Sequence, residues 1–119
     1  MNRADTILVV EDDHEARTFL TQILELEGFT AVGFENGAQA LDYLQRAERP
    51  CLIILDLRMP IMDGPQFRAA QRQDPRLATI PVVVVTAMDP SSAASLSPLR
   101  VLRKPVDLSI LLQIVRENC

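Results

Sequence analysis

Leu52-Ile53-Ile54-Leu55-Asp56-Leu57 is an aliphatic run broken once, by a carboxylate one place from its end. A run of that length without polar alternation reads as a strand covered on both faces, the usual condition of strands in parallel sheets. Three other segments end the same way: Val9-Val10-Glu11-Asp12-Asp13, Val84-Val85-Thr86-Ala87 and Leu102-Arg103-Lys104-Pro105. In an open, doubly wound sheet the ligand crevice lies at the carboxyl ends of the strands. Glu11, Asp12, Asp56, Thr86 and Lys104 are therefore expected to converge.

The stretches between these runs change period. Ala16, Phe19, Leu20, Ile23 and Leu24 recur at helical spacing over residues 14–27, with Asp13 as N-cap and Gly28 as stop. A weaker strand at residues 30–34 leads through Asn36-Gly37 into a second helix, which carries Ala38, Leu41, Tyr43 and Leu44 and stops before Pro50. The remaining pattern predicts a third strand over 52–57, a helix over 65–73, strands over 82–85 and 101–103, and a closing helix over 106–118. Alternation of this kind with right-handed crossovers gives an α/β sandwich around a five-stranded parallel sheet.

At 119 residues, 48% of them hydrophobic, the chain fits one domain spanning 1–119. A domain of this size buries roughly two-thirds of its unfolded surface. No apolar run approaches the roughly 18 residues of a membrane span. Arg3 and Asp5 before the first strand do not form a secretion signal, so the expected location is cytoplasmic. The net charge of −4, with no basic stripe, argues against direct nucleic-acid binding. Cys51 and Cys119 are far apart in sequence and the chain has a single histidine, so neither a CxxC redox pair nor a zinc site is available. Both cysteines are expected to be ordinary thiols. His14, alone in the first turn of a helix, is expected to be solvated.

Three carboxylates in one crevice repel: at 4 Å each pair costs about 4 kcal/mol at an effective dielectric of 20. A hard cation relieves this, and Mg²⁺ suits a site of one or two carboxylates with open positions for phosphoryl oxygens. Asp12 and Asp56 are the chosen ligands. A carboxylate beside such a metal can also be the nucleophile that accepts a phosphoryl group. Asp56 is the candidate, because it ends the most apolar strand. The turn after it, Arg58-Met59-Pro60-Ile61-Met62-Asp63-Gly64, can hold a backbone carbonyl toward the site. Thr86 offers a hydroxyl and Lys104 an ammonium to the phosphoryl oxygens, with Pro105 fixing the lysine through a cis bond.

Taken together, these residues resemble a response-regulator receiver domain over nearly the whole chain. Glu11-Asp12 resembles the family's acidic pair, Asp56 its phosphoacceptor within Leu55-Asp56-Leu57-Arg58-Met59-Pro60-Ile61-Met62-Asp63-Gly64, Thr86-Ala87 its hydroxyl position and Lys104-Pro105 its lysine–proline pair. The resemblance implies a flavodoxin-like sandwich with strand order 2-1-3-4-5. It also implies a metal site in which Glu11 belongs to the acidic pair and Mg²⁺ is held by Asp12, Asp56 and the Arg58 carbonyl. The phosphoryl group would come from a phosphohistidine on a sensor histidine kinase or a histidine phosphotransfer protein. The implied role is a phosphorelay signalling module that catalyses only its own phosphorylation and dephosphorylation, and whose state changes the binding of a downstream effector protein.

Two departures shape the expectations. The aromatic usual three positions before the lysine is Val101 here, so no threonine–aromatic rotamer coupling is expected. Residues 88–100 hold Pro90, Pro98 and four serines and leave room for about two turns, which predicts a shortened or irregular fourth helix. That leaves the final helix less covered, with Ile110 and Ile114 partly exposed. This helix carries Leu108, Leu111, Leu112 and Val115 on one stripe and Ile110 with Ile114 on another. The stripes suit either deep burial or a homodimer or interaction surface.

The main alternative is a docking or dimerisation module that keeps the fold and works without phosphorylation. An aspartate-nucleophile phosphatase of the haloacid-dehalogenase type needs a second aspartate two residues after the nucleophile, where Arg58 stands. A flavodoxin would have to cradle a phosphate in the loop after the first strand, and Glu11-Asp12-Asp13 would repel it.

Overall fold

The computed structural model describes residues 6–119; Arg3 and Asp5 lie outside them. Its elements follow the predicted alternation: β1 Thr6–Val10, α1 His14–Leu26, β2 Thr30–Phe34, α2 Gly37–Arg46, β3 Leu52–Asp56, α3 Gly64–Gln73, β4 Val82–Thr86, a 3₁₀ helix Pro90–Leu96, β5 Arg100–Arg103 and α4 Leu108–Asn118. All strand pairings are parallel and the order is β2-β1-β3-β4-β5. The central strands β3 and β4 are buried at every position, while the edge strand β2 is not, which is why its sequence reads as the weaker strand.

Successive strand residues point to opposite faces, so each central strand feeds two cores. Ile7, Val9 and Ile54 pack with Leu24, Leu111 and Val115 beneath α1 and α4. Leu8, Val10 and Leu55 pack on the other face with Ala40, Leu44 and Phe67 of α2 and α3. Helix starts are set by side-chain caps. Asp13 and Asn36 accept from backbone N–H groups of α1 and α2, and Asp63 forms a reciprocal capping box with Gln66 at α3. The final helix begins at Leu108, two residues later than the pattern predicts, because Asp107 caps the N–H groups of Ser109 and Ile110.

The fourth helix is the short 3₁₀ segment. Asp89 caps it, Ala93 alone of its residues is buried, and it ends at Ser97 in the left-handed region (φ 49°). Arg68 of α3 closes this end. Its Nε donates to the Leu96 carbonyl at 2.9 Å, its Nη2 to the Ser97 carbonyl at 3.0 Å and its Nη1 to Gln71 Oε1 at 2.8 Å. Gln71, fully buried, in turn donates to the carbonyls of Leu77 and Ile80. Burial and the neighbouring Arg72 lower the Arg68 pKa from its ordinary value.

Two expectations are corrected. The cysteines are not separate thiols: Cys51 and Cys119 form a disulfide with a Cα separation of 5.5 Å. The final helix runs back along the sheet from the carboxyl to the amino ends of the strands, which delivers residue 119 to the start of β3. That meeting is a consequence of topology and not of sequence spacing. In α4, Ile110 is exposed as expected, but Ile114 is buried with Leu111 and Val115, so most of the broad apolar face is accounted for by the core.

Candidate functional site

β1, β3, β4 and β5 end on one edge of the sheet, and each delivers a polar residue there. Glu11 extends β1 by one residue, its N–H donating to the Phe34 carbonyl at 2.9 Å. Asp56 is the last residue of β3 and Thr86 the last of β4. Lys104 follows β5, and its N–H donates to the Thr86 carbonyl at 2.8 Å, which fixes the lysine against the threonine. The Lys104–Pro105 peptide is cis, as expected.

One carboxylate oxygen from each of Glu11, Asp12 and Asp56 lies within 4.8 Å of the others. Glu11 and Asp56 are buried and Asp12 is exposed. Lys104 Nζ donates to Glu11 Oε1 at 2.9 Å and stands 3.7 Å from Asp56 Oδ1. The ion pair expected of Lys104 is present, with Glu11 as the nearer partner. Asp56 Oδ1 also accepts from the Leu57 N–H at 2.9 Å.

Burial, and then the charge of Glu11, push the Asp56 carboxyl up to about 6 despite Lys104. Asp12 is raised as well, by what burial it has and by Glu11 beside it. For Lys104 partial burial works against the charged form, yet the hydrogen bond to Glu11 and the nearby Asp56 hold its pKa above the ordinary value. The cluster thus carries more negative charge than one lysine balances. Three hard oxygen donors with an unrelieved mutual repulsion fit a divalent cation such as Mg²⁺.

Thr86 is buried, and its Oγ1 accepts from the Met88 N–H at 2.9 Å, which leaves the hydroxyl proton free for another acceptor. Arg58 is exposed in the loop between β3 and α3. That loop is held close to Asp56. The Gly64 N–H donates to the Leu57 carbonyl at 2.9 Å, and a Cβ at Gly64 would lie 2.6 Å from the Asp56 carbonyl oxygen. Only glycine permits that approach. His14, expected to be solvated, is exposed, although its Nδ1 lies 3.1 Å from Arg17 Nη2.

Beside Lys104 opens a groove of about 360 Å³, walled by Phe19 and Leu20 of α1 and by Pro105, Val106 and Leu108. Phe19 is half exposed there. Reading the sequence assigned Phe19 to a helix stripe and missed this surface, because a residue at the margin of an apolar face has the same spacing as one at its centre. Among the described residues no helix is long and apolar enough to cross a membrane.

The family described as "Response regulator receiver domain" matches residues 7–116. The response regulator receiver protein CpdR of Brucella abortus is 39% identical over 106 residues, covering 86% of each chain. Sporulation initiation phosphotransferase F of Bacillus subtilis is 35% identical over 83 residues, covering 70% of this chain and 64% of its own. Among solved structures, a response regulator receiver protein from Pseudomonas putida superposes with a TM-score of 0.90 at 33% identity over 98% of both chains.

Proposed function

Because the chain belongs to the response-regulator receiver family, we propose that it is a phospho-accepting switch in which Asp56 takes a phosphoryl group from a phosphohistidine. The observation that carries this reading is the convergence of Asp56, the Glu11–Asp12 pair and Lys104 at one sheet edge. A pKa of about 6 keeps Asp56 mostly ionised at neutral pH, as a nucleophile must be. Its carboxylate oxygen attacks phosphorus, the bond to the histidine nitrogen breaks with its electrons going to the imidazole, and Asp56 is left as an acyl phosphate.

Asp12 and Asp56, with Glu11 behind them and the Arg58 carbonyl from the loop, would hold Mg²⁺. When bound, the ion neutralises charge on the transferred oxygens. Lys104 supplies a second positive charge: it already lies between Glu11 and Asp56 and can follow the charge from one to the other. Thr86 donates its free hydroxyl proton to a phosphoryl oxygen. The donor is a sensor histidine kinase or a histidine phosphotransfer protein in the cytoplasm, seated on the apolar groove at Phe19 and Pro105, which adjoins Lys104. No other substrate is turned over.

Incubation with a small-molecule phosphodonor and Mg²⁺, read by intact mass, tests the reading. One phosphoryl group should appear on the wild type and none on Asp56→Asn. Equal incorporation by the variant would remove Asp56 as the acceptor.

A further inference from the structure

Arg17 stands outside the carboxylate cluster, yet it makes contact with the backbone that carries it. Its Nη1 donates to the carbonyl of Glu11 at 2.8 Å and to that of Asp12 at 3.3 Å. These are the two peptide groups immediately after β1, where strand pairing ends. The Glu11 N–H is taken by the Phe34 carbonyl, so Arg17 completes the anchoring of that residue's backbone from the other side. Asp12 has no such strand partner, and its side chain is exposed.

A second feature, on a different element, points to the same contact. β2 carries a glycine at position 33, paired in register with Val9. Glycine inside a strand weakens it and commonly marks the close approach of another group. Here that group is the arginine: a Cβ at Gly33 would meet Arg17 Cγ at 2.9 Å and Cδ at 3.0 Å. The edge strand therefore leaves the space through which the Arg17 stem passes on its way to the two carbonyls.

Building on the metal-binding reading above, we propose that Arg17, seated over Gly33, is a positioning residue for the cation site. By fixing the two peptide units through one guanidinium, it sets the direction in which the Glu11 and Asp12 carboxylates leave the backbone. A planar guanidinium on a long stem can serve two carbonyls at once, whereas a lysine ammonium supplies the charge without the fork. Backbone held in advance is backbone that need not be ordered when the ion binds.

The test is Mg²⁺ titration by calorimetry on wild type, Arg17→Gln, Arg17→Lys and Gly33→Val, with thermal melts of the same proteins without Mg²⁺. Removal of a group that orients ligands typically weakens metal affinity by about 10–100-fold. All three variants should fall toward that range at a temperature where each is folded, with Arg17→Lys weakened despite keeping its charge. Lower melting temperatures with unchanged Mg²⁺ affinity would overturn the inference and make Arg17 a structural residue only. Wild-type affinity in Arg17→Lys would overturn it too, by showing that charge alone suffices. A wild-type protein that binds no Mg²⁺ would instead refute the metal-binding reading on which the inference rests.

Discussion

Replacing Asp56 with Asn should stabilise the metal-free protein at neutral pH while abolishing its phosphorylation. The carboxyl is raised from 3.8 to about 6 by burial and by Glu11. Below about pH 3.8 it is protonated in the folded and unfolded states alike and contributes no difference. Between 3.8 and about 6 the unfolded chain ionises while the folded one keeps its proton, so stability falls as pH rises. Above 6 the folded state carries the full cost of the buried charge, about 3 kcal/mol for a displacement of this size. Asn retains an oxygen for the Leu57 N–H and adds no charge, and Lys104 keeps its 2.9 Å partner in Glu11. The variant should therefore gain about 2–3 kcal/mol at pH 7, a rise in Tm of roughly 10 °C. Urea denaturation from pH 4 to pH 8 in a chelator measures the gap directly. It should be largest at pH 7 to 8 and nearly closed at pH 4. A variant no more stable than wild type at pH 7, or a gap independent of pH, would show that Asp56 is not held against its own charge.

The other predictions concern separate parts of the molecule. Asp12→Ala should weaken Mg²⁺ binding in calorimetry while leaving thermal stability unchanged or higher, since it removes one of three crowded carboxylates. Gly64→Ala should cost about 1–3 kcal/mol in urea denaturation, because its methyl group would meet the Asp56 carbonyl and the Leu57 backbone and force the loop to move. Reducing the Cys51–Cys119 disulfide, which spans 68 positions, should lower stability by about 4 kcal/mol on chain-entropy grounds. Melts with and without a dithiol reductant should differ for wild type and coincide for Cys119→Ser. A phosphoryl mimic should change amide exchange in the loops after Asp56 and Thr86 or in α4 and leave residues 99–103 nearly unchanged; a large change centred on that segment would refute this route.

What the sequence made legible was whatever depends on short-range pattern. The runs Val82–Val85 and Leu52–Leu55 are apolar throughout because helices cover both sheet faces, and that burial is visible residue by residue. The site follows from the same pattern, since the first polar residue after a buried parallel strand lies at the ligand edge. What was hidden depends on long-range meetings of side chains whose local spacing is ordinary. Cys51 and Cys119 meet only because α4 returns to the amino end of β3. Arg68 and Gln71 look like two polar residues of an amphipathic helix, yet they are buried and hold carbonyls on two other segments. Gly33 was a local signal of a hidden contact, a glycine inside a strand with no turn to explain it.

The short 3₁₀ helix and Val101 together bear on how a phosphorylated form could be sensed. A switch needs an element with two discrete arrangements. Val101 is half-buried between β4 and the second core, with no ring to exchange between a pocket and solvent. The 3₁₀ helix beside it is tied to α3 through two carbonyls held by one buried guanidinium, and moving it would strip that guanidinium of two of its three acceptors, leaving only Gln71. That face is braced in this chain by Arg68. Under the phosphorylation proposed above, the groups free to respond would be Lys104, shared between Glu11 and Asp56, and the Thr86 hydroxyl. Lys104 leads through Pro105 and Asp107 into α4, so in the phosphorylated form proposed above a shift of its ammonium from Glu11 toward Asp56 would act on the start of the final helix and on the apolar groove that helix helps to wall.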